Sequence, residues 1–260
     1  MTNISIRNFD ITKIREDSTI FIIGRKTTGK TTLACDILYH KQTIPTGIII
    51  SPRDHKISTP HICMLHEYNP NIIVDVIKRQ KVAVTKWYNE NRATGGKSTY
   101  NPYSFLFMDD CTFDASWTKD RNIYYLFMNS RCLKNLILIT MQYPLSISPV
   151  LRTNVDYIFI FRENNMQNRK RLYKQYGGMF PTFEAFAAVI DALGDYEYLV
   201  INNNAASNKL EDQVFFYKAK PLTLRDLVWE WGINDEQTYI NRCKEKSLTI
   251  RDELFDAVCV

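Results

Sequence analysis

No Cys-x-x-Cys pair occurs in this sequence, and its cysteines and histidines form no paired zinc-finger spacing. Its six cysteines, Cys35, Cys63, Cys111, Cys132, Cys243 and Cys259, are scattered along the chain. That pattern excludes a zinc finger and points to free thiols in a reducing compartment. No apolar run reaches the roughly 18 residues of a membrane span. The start of the chain, with Arg7, Asp10, Lys13 and Arg15, has no signal-peptide core, so the expected setting is the cytosol or a cytosolic compartment. Internal repeats, low-complexity tracts and base-reading signatures such as a helix-turn-helix are absent as well.

What is present is the composition of an ordinary globular protein, 45% hydrophobic and 23% charged over 260 residues. That length suits one large α/β domain, or one domain plus a small appendage. Aromatics are plentiful, at 15 Tyr and 14 Phe, which serves a core or an interaction surface equally well. The net charge of +5 permits a polyanionic partner without requiring one.

The most informative segment is Gly24-Arg25-Lys26-Thr27-Thr28-Gly29-Lys30-Thr31, which spells G-x-x-x-x-G-K-[ST]. Ahead of it Thr19 to Ile23 is a β-branched and aromatic run that reads as a buried strand. Behind it Thr32 to Tyr39 has apolar positions at helical spacing. Strand, glycine-bounded loop and helix form the context this motif needs. Gly24 and Gly29 let the loop curl so that its N–H groups and the positive end of the helix dipole face one anion. Residues Gly24 to Thr31, with Thr32 behind them, are therefore expected to hold the phosphates of ATP. In that reading Lys30 reaches the β- and γ-phosphates and the Thr31 hydroxyl ligates Mg²⁺.

Further along, strands are expected at Gly47–Ile50, Ser104–Met108, Leu136–Met141, Tyr157–Phe161, Tyr196–Ile201 and Gln213–Tyr217. Helices are expected over Asn69 to Arg92, about Trp117 to Arg131, Arg162 to Lys174 and Phe183 to Leu193. Arg92 to Pro102 reads as a surface loop. The alternation predicts an α/β P-loop NTPase with a mostly parallel sheet flanked by helices, plus extra C-terminal strands. Residues 1–220 would form the ATPase domain and residues 221–260 a charged helical tail.

Two further groups complete a nucleotide site. The apolar run Phe105-Leu106-Phe107-Met108 closes on Asp109 and Asp110, at the carboxyl end of a strand, where ligands sit in such sheets. Asp109 is placed to hold the Mg²⁺ shell, and Asp110 to orient or deprotonate the attacking water. Gln142 ends the next buried strand and is placed to read phosphate or water through a neutral amide. A structural aspartate pair and a structural strand-end glutamine are the bland readings of the same residues.

The order of these motifs, with Phe127-Met128-Asn129-Ser130-Arg131, Tyr143-Pro144-Leu145 and Leu151-Arg152-Thr153-Asn154-Val155-Asp156-Tyr157, resembles the genome-packaging ATPase of poxviruses, giant viruses and other large DNA viruses. That family belongs with the FtsK/HerA DNA-pumping motors, and the resemblance covers Thr19 to Tyr217. It implies a homo-oligomeric ring that moves double-stranded DNA into a capsid, with capsid or internal-membrane proteins as partners. It also implies work in the host cytoplasm, at the viral factory, and in the virion. Many relatives carry glutamate where this chain has Asp110. The resemblance implies a trans arginine finger, and Arg131 and Arg152 both stand where one is expected; either could instead be a structural salt-bridge arginine.

A DNA motor needs cations that track phosphates without reading bases. Lys78, Arg79, Lys81, Lys86, Arg169, Lys170, Arg171 and Lys174 are candidates, and the loop from Arg92 to Tyr100, with Lys97, is the preferred place. The rival reading is a P-loop nucleoside or nucleotide kinase, with Arg162, Arg169 and Arg171 as an arginine-bearing lid.

Overall fold

The computed structural model describes residues 6–52, 62–110, 115–143 and 147–223. The tail expected to be helical lies, from residue 224 onward, outside the described residues. Among the described residues nine strands form one sheet: β1 (Arg7–Asn8), β2 (Thr19–Ile23), β3 (Thr46–Ile50), β4 (Ile62–Leu65), β5 (Ser104–Met108), β6 (Asn135–Met141), β7 (Tyr157–Phe161), β8 (Glu197–Asn202) and β9 (Val214–Lys218). Their spatial order is β1-β9-β8-β7-β2-β6-β5-β3-β4. β8 pairs antiparallel with both β7 and β9, and every other pairing is parallel, so β8 alone runs against the rest.

The helices are α1 (Lys30–Tyr39), α2 (Pro70–Thr94), α3 (Arg121–Asn129), α4 (Pro149–Thr153), α5 (Met166–Tyr176), α6 (Phe183–Asp191) and α7 (Leu210–Gln213). The chain moves from β2 to β3 through α1 and returns through α2, α3 and α4 toward β7. Right-handed crossovers require the helices to change face when that direction reverses. They do. α1 buries Leu33, Ala34, Ile37 and Leu38 with Ile20, Ile22, Phe105, Phe107 and Leu138 on one side of the sheet. The helices α2 to α6 pack over Phe21, Ile23, Leu106, Met108, Ile137 and Ile139 on the other. With both faces covered, the central strands read as continuous apolar runs, not as an alternation.

The structure corrects several expected boundaries. The helix expected from Trp117 to Arg131 is split into a 3₁₀ turn, Ala115–Lys119, and α3. The Asp120 side chain accepts the Asn122 N–H and caps α3, which stops the two from merging. α5 starts at Met166, not Arg162, because Asn165 accepts from the N–H groups of Gln167 and Asn168. α2 runs two residues past Arg92 and ends at Gly95 in the left-handed region. The strands β1 and β4 had no sequence expectation; both are edge strands, at four residues or fewer.

Gly47 on β3 meets Phe105 on β5, and a Cβ at Gly47 would lie 2.1 Å from two ring carbons. Gly47→Ala therefore overpacks the face beneath α1, at a cost of about 1–3 kcal/mol. Thermal unfolding should show a lower Tm, by about 2–4 °C per kcal/mol for a domain of this size. Phe105→Leu in the same chain should recover part of the loss.

Candidate functional site

Every parallel strand ends at the same edge of the sheet, so the loops after β2, β5 and β6 share that edge. Because β8 is antiparallel, its first residues arrive there too. A cavity of about 210 Å³ opens at this edge, lined by Thr27, Gly29, Lys30, Thr31, Thr32, Asp109, Asp110 and Tyr196. That volume falls below the roughly 300–1,000 Å³ of whole-ligand pockets and suits a phosphate chain with its sugar and base toward the open side.

The phosphate loop is held from three directions. Gly24 donates its N–H to Met141 O at 3.0 Å, tying the loop to the end of β6. A side chain at Gly24 would meet Phe161 Cβ at 2.7 Å and Thr28 Oγ1 at 2.8 Å. Gly29 has φ +98°, and a Cβ there would meet the Tyr196 ring at 2.8 Å. Tyr198 Oη donates to Gly29 O at 2.8 Å. Burial pushes the Tyr198 hydroxyl pKa up, which keeps it protonated as that donor. Farther along α1, the fully buried Asp36 accepts from Tyr217 Oη at 2.6 Å and Lys220 N at 3.0 Å, so the C-terminal strands brace the helix that presents the loop.

Lys30 is buried, and its Nζ donates to Arg25 O at 2.9 Å, across the mouth of the loop. The Thr31 hydroxyl donates to the Asp109 carboxylate, 3.2 Å from each oxygen. These are hard oxygen donors in one cavity, the kind Mg²⁺ takes together with substrate phosphates and water. Among the described residues no cluster of three His, Cys, Asp or Glu forms a self-sufficient metal cage. The donor set therefore fits a magnesium ion that arrives with a nucleotide. Gln142 Nε2 donates to Asp110 Oδ2 at 2.7 Å, which fixes the second carboxylate's orientation.

Thr140 was not anticipated from sequence. Its hydroxyl accepts the Asp110 N–H at 2.7 Å and donates to Asp109 Oδ1 at 2.7 Å, so one β6 side chain positions both acids. A lone hydroxyl inside the apolar run Ile137 to Met141 was the available signal. Tyr196 was read only as the start of a strand, and its place in the cavity follows from the reversed direction of β8. Thr27, Asp110 and Tyr196 line the cavity and are three of the four non-glycine residues of positive φ among the described residues. Strain of that kind concentrates where a site fixes its geometry.

The two arginines lie elsewhere in the same chain. Arg131 precedes β6 and Arg152 precedes β7, at the opposite ends of those strands from the cavity. Arg131 pairs with Asp156 at 2.6 Å and donates to Asn204 Oδ1 at 2.8 Å. Asp156 in turn accepts the Thr19 N–H at 2.8 Å, so the group ties β2, β7 and the turn after β8. Of the DNA candidates, Arg169 is corrected to a structural role. It is buried, forms paired bonds with Asp191 and also donates to Glu163 O.

No protein-family model matches the chain. An uncharacterized protein of Invertebrate iridescent virus 6 is 36% identical over 240 residues, covering 86% of this chain and 89% of the relative. An uncharacterized protein of Acanthamoeba polyphaga mimivirus is 32% identical over 222 residues, covering 83% and 77%. The chain belongs to this family of large DNA virus proteins. Among solved structures, the genome packaging NTPase B204 of Sulfolobus turreted icosahedral virus 2 superposes with a TM-score of 0.53 at 14% identity, over 80% of this chain and all of B204. The conjugation coupling protein TcpA of pCW3, bound to ATPγS, superposes with a TM-score of 0.57 at 14% identity, over 82% of this chain and 62% of TcpA. At that identity the likeness establishes the α/β P-loop fold of this family member.

Thr140→Val should leave both acids without their shared hydroxyl, at a cost of about 1–3 kcal/mol in stability. Thr140→Ser should stay close to wild type in thermal unfolding. Gly29→Ala should weaken binding of a fluorescent ATP analogue at least tenfold while the chain remains folded by circular dichroism.

Proposed function

We propose that this protein is an ATP-hydrolysing motor that moves double-stranded DNA into a viral capsid. The observation that carries the reading is the convergence of Lys30, Thr31, Asp109, Asp110 and Gln142 at one sheet edge, around a cavity sized for phosphates. ATP would replace the Arg25 carbonyl as the partner of Lys30. The loop N–H groups from Gly24 to Thr32, including those of Arg25, Lys26, Thr27 and Thr28, would cradle the phosphates. Mg²⁺, held by Thr31 and Asp109 with the phosphates, would neutralise charge on the β- and γ-phosphoryl oxygens. Asp110, oriented by Gln142 and Thr140, would accept a proton from water as the water oxygen bonds to the γ-phosphorus. The bond from that phosphorus to the β–γ bridging oxygen breaks, leaving ADP and phosphate.

An ATPase that only bound and released nucleotide would need nothing more. The family relationship to large DNA virus proteins, and the likeness in fold to a genome packaging NTPase and a conjugation coupling protein, favour coupling to DNA. The chain would act as a homo-oligomeric ring in the host cytoplasm, at the viral factory, and remain with the virion, docking on capsid or internal-membrane proteins. Arg152 is the better choice for a finger acting on the neighbouring subunit's phosphates. Arg131 is already committed to Asp156 and Asn204. The kinase reading loses one of its three lid arginines, since Arg169 is held by Asp191.

Duplex DNA should stimulate ATP turnover. Lys30→Ala and Asp110→Asn should each lower kcat by at least about 100-fold, the scale of losing a general base or a phosphate-binding charge. A folded oligomer whose turnover ignores DNA would refute the motor. Mixing inactive Arg152→Ala with inactive Lys30→Ala should restore part of the turnover if the arginine serves the next subunit. Arg131→Ala should chiefly lower the unfolding temperature.

A further inference from the structure

α5 carries its charge unevenly. Its sequence, MQNRKRLYKQY, contains four cations and no acid. At 3.6 residues per turn, Lys170, Arg171 and Lys174, with Gln167, fall within an arc of about 100°. All four are exposed. Leu172 and Tyr176 occupy the opposite arc and are buried against the sheet. Arg169, the fourth cation, points inward, and its bonds to Asp191 anchor α5 to α6. Glu163, the acid just before the helix, is buried and accepts from Asn165 N and Asn168 Nδ2. Glu163 and Asp191 are therefore engaged at the cap of this helix and on its inner side. Among the described residues no ion pair or ring contact engages Lys170, Arg171 or Lys174.

The other cationic segments differ. Lys81 Nζ sits 4.9 Å from the centroid of Tyr125 and Lys86 Nζ 4.6 Å from that of Tyr100, so both already have cation–π partners. The Arg92–Tyr100 segment is pinned by bonds from Gly96 N to Asn91 O, Ser98 Oγ to Glu90 and Lys97 N to Thr94 Oγ1. It also leads into the start of β5, at the edge away from the nucleotide cavity. α5 instead follows the carboxyl end of β7, beside β2, and the exposed Arg162 at that strand end adds a charge at the nucleotide edge.

From this arrangement we infer that the outer face of α5, through Lys170, Arg171 and Lys174, is the surface that contacts the phosphodiester backbone of duplex DNA. The inference rests on the motor reading above and names its DNA contact. Lysine and arginine without acids between them, on a rigid helix and spaced about 1.5–6 Å along its axis, complement a repeating polyanion and carry no base-reading geometry. The helix begins at the edge where the γ-phosphate would be cleaved, so a shift of that edge on hydrolysis would be felt at the DNA.

The test measures binding of a short fluorescein-labelled duplex of arbitrary sequence to the full chain by anisotropy, across a salt series. Lys170→Gln/Arg171→Gln/Lys174→Gln should weaken binding at least tenfold. It should also reduce the slope of log K against log salt by about 2–3, the loss expected for three phosphate contacts at 0.9 each. Lys81→Gln/Lys86→Gln/Lys97→Gln should stay within threefold of wild type. Thermal melting of both variants checks the fold, and the charge reversal Lys170→Glu/Arg171→Glu serves as a second variant. If wild type binds duplex and the α5 variants bind equally well, or if the α2 variant loses as much, the inference is wrong and the motor stands. If wild type hydrolyses ATP but binds no duplex, or prefers single-stranded RNA or anionic vesicles, the motor reading falls with it.

Discussion

The site depends on one strand being in the right place. β6 lies between β2, which carries the phosphate loop, and β5, which carries the acids, and its Thr140 hydroxyl joins the two acids to each other. That hydroxyl accepts from Asp110 N and donates to Asp109, and Asp109 accepts from Thr31 at the start of α1. Gln142, two residues on, holds Asp110, and Met141 accepts the Gly24 N–H. Three consecutive residues, the last two of β6 and the one that follows it, thus set the distance between the loop and both carboxylates. In a buried site the register of β6 is a chemical variable, because a one-residue slip would turn Thr140 to the opposite face.

The second constraint comes from the C-terminal part of the sheet. β8 runs against its neighbours, and that reversal returns the chain to the nucleotide edge, where Tyr196 and Tyr198 pack on Gly29. β9 then reaches Asp36 on α1 through Tyr217. These contacts hold the loop's left-handed glycine and its helix from the side opposite β6. The phosphate loop is clamped between a parallel strand and a reversed one, and the positive φ of Thr27, Asp110 and Tyr196 marks where the clamp closes. Arg131 and Arg169 are each held in place by a carboxylate, Asp156 and Asp191 respectively.

Much of the architecture was legible in the order of residues. The runs Thr19–Ile23, Ser104–Met108 and Tyr157–Phe161 are strands within those limits, because short β-branched and aromatic runs bounded by polar residues have few alternatives. The helix boundaries at Asp120 and Asn165 were misread, since a capping side chain competes locally with helical periodicity that runs past it. The loop, Asp109, Asp110 and Gln142 were visible because each stands at the end of an apolar run. Thr140 was not, because a threonine inside such a run serves as β-branched filler as readily as a buried hydroxyl, and only the fold shows what that hydroxyl meets.

The sequence by itself determined a glycine-bounded loop between strand and helix, two acids and an amide at strand ends, and a mostly parallel sheet. These follow from local backbone preference and from hydrophobic runs, which act over a few residues. Only the tertiary structure decided which strand lies between loop and acids, that β8 reverses to bring Tyr196 to the cavity, and which arginines are committed to ion pairs. It also separated the outer cations of α5, Lys170, Arg171 and Lys174, which meet no ion pair or ring among the described residues, from Lys81 and Lys86 of α2, which lie over aromatic rings. Those outcomes join residues well separated in sequence, Gly29 with Tyr198 the farthest of them, and their physical cause is the order and direction of strands in the sheet.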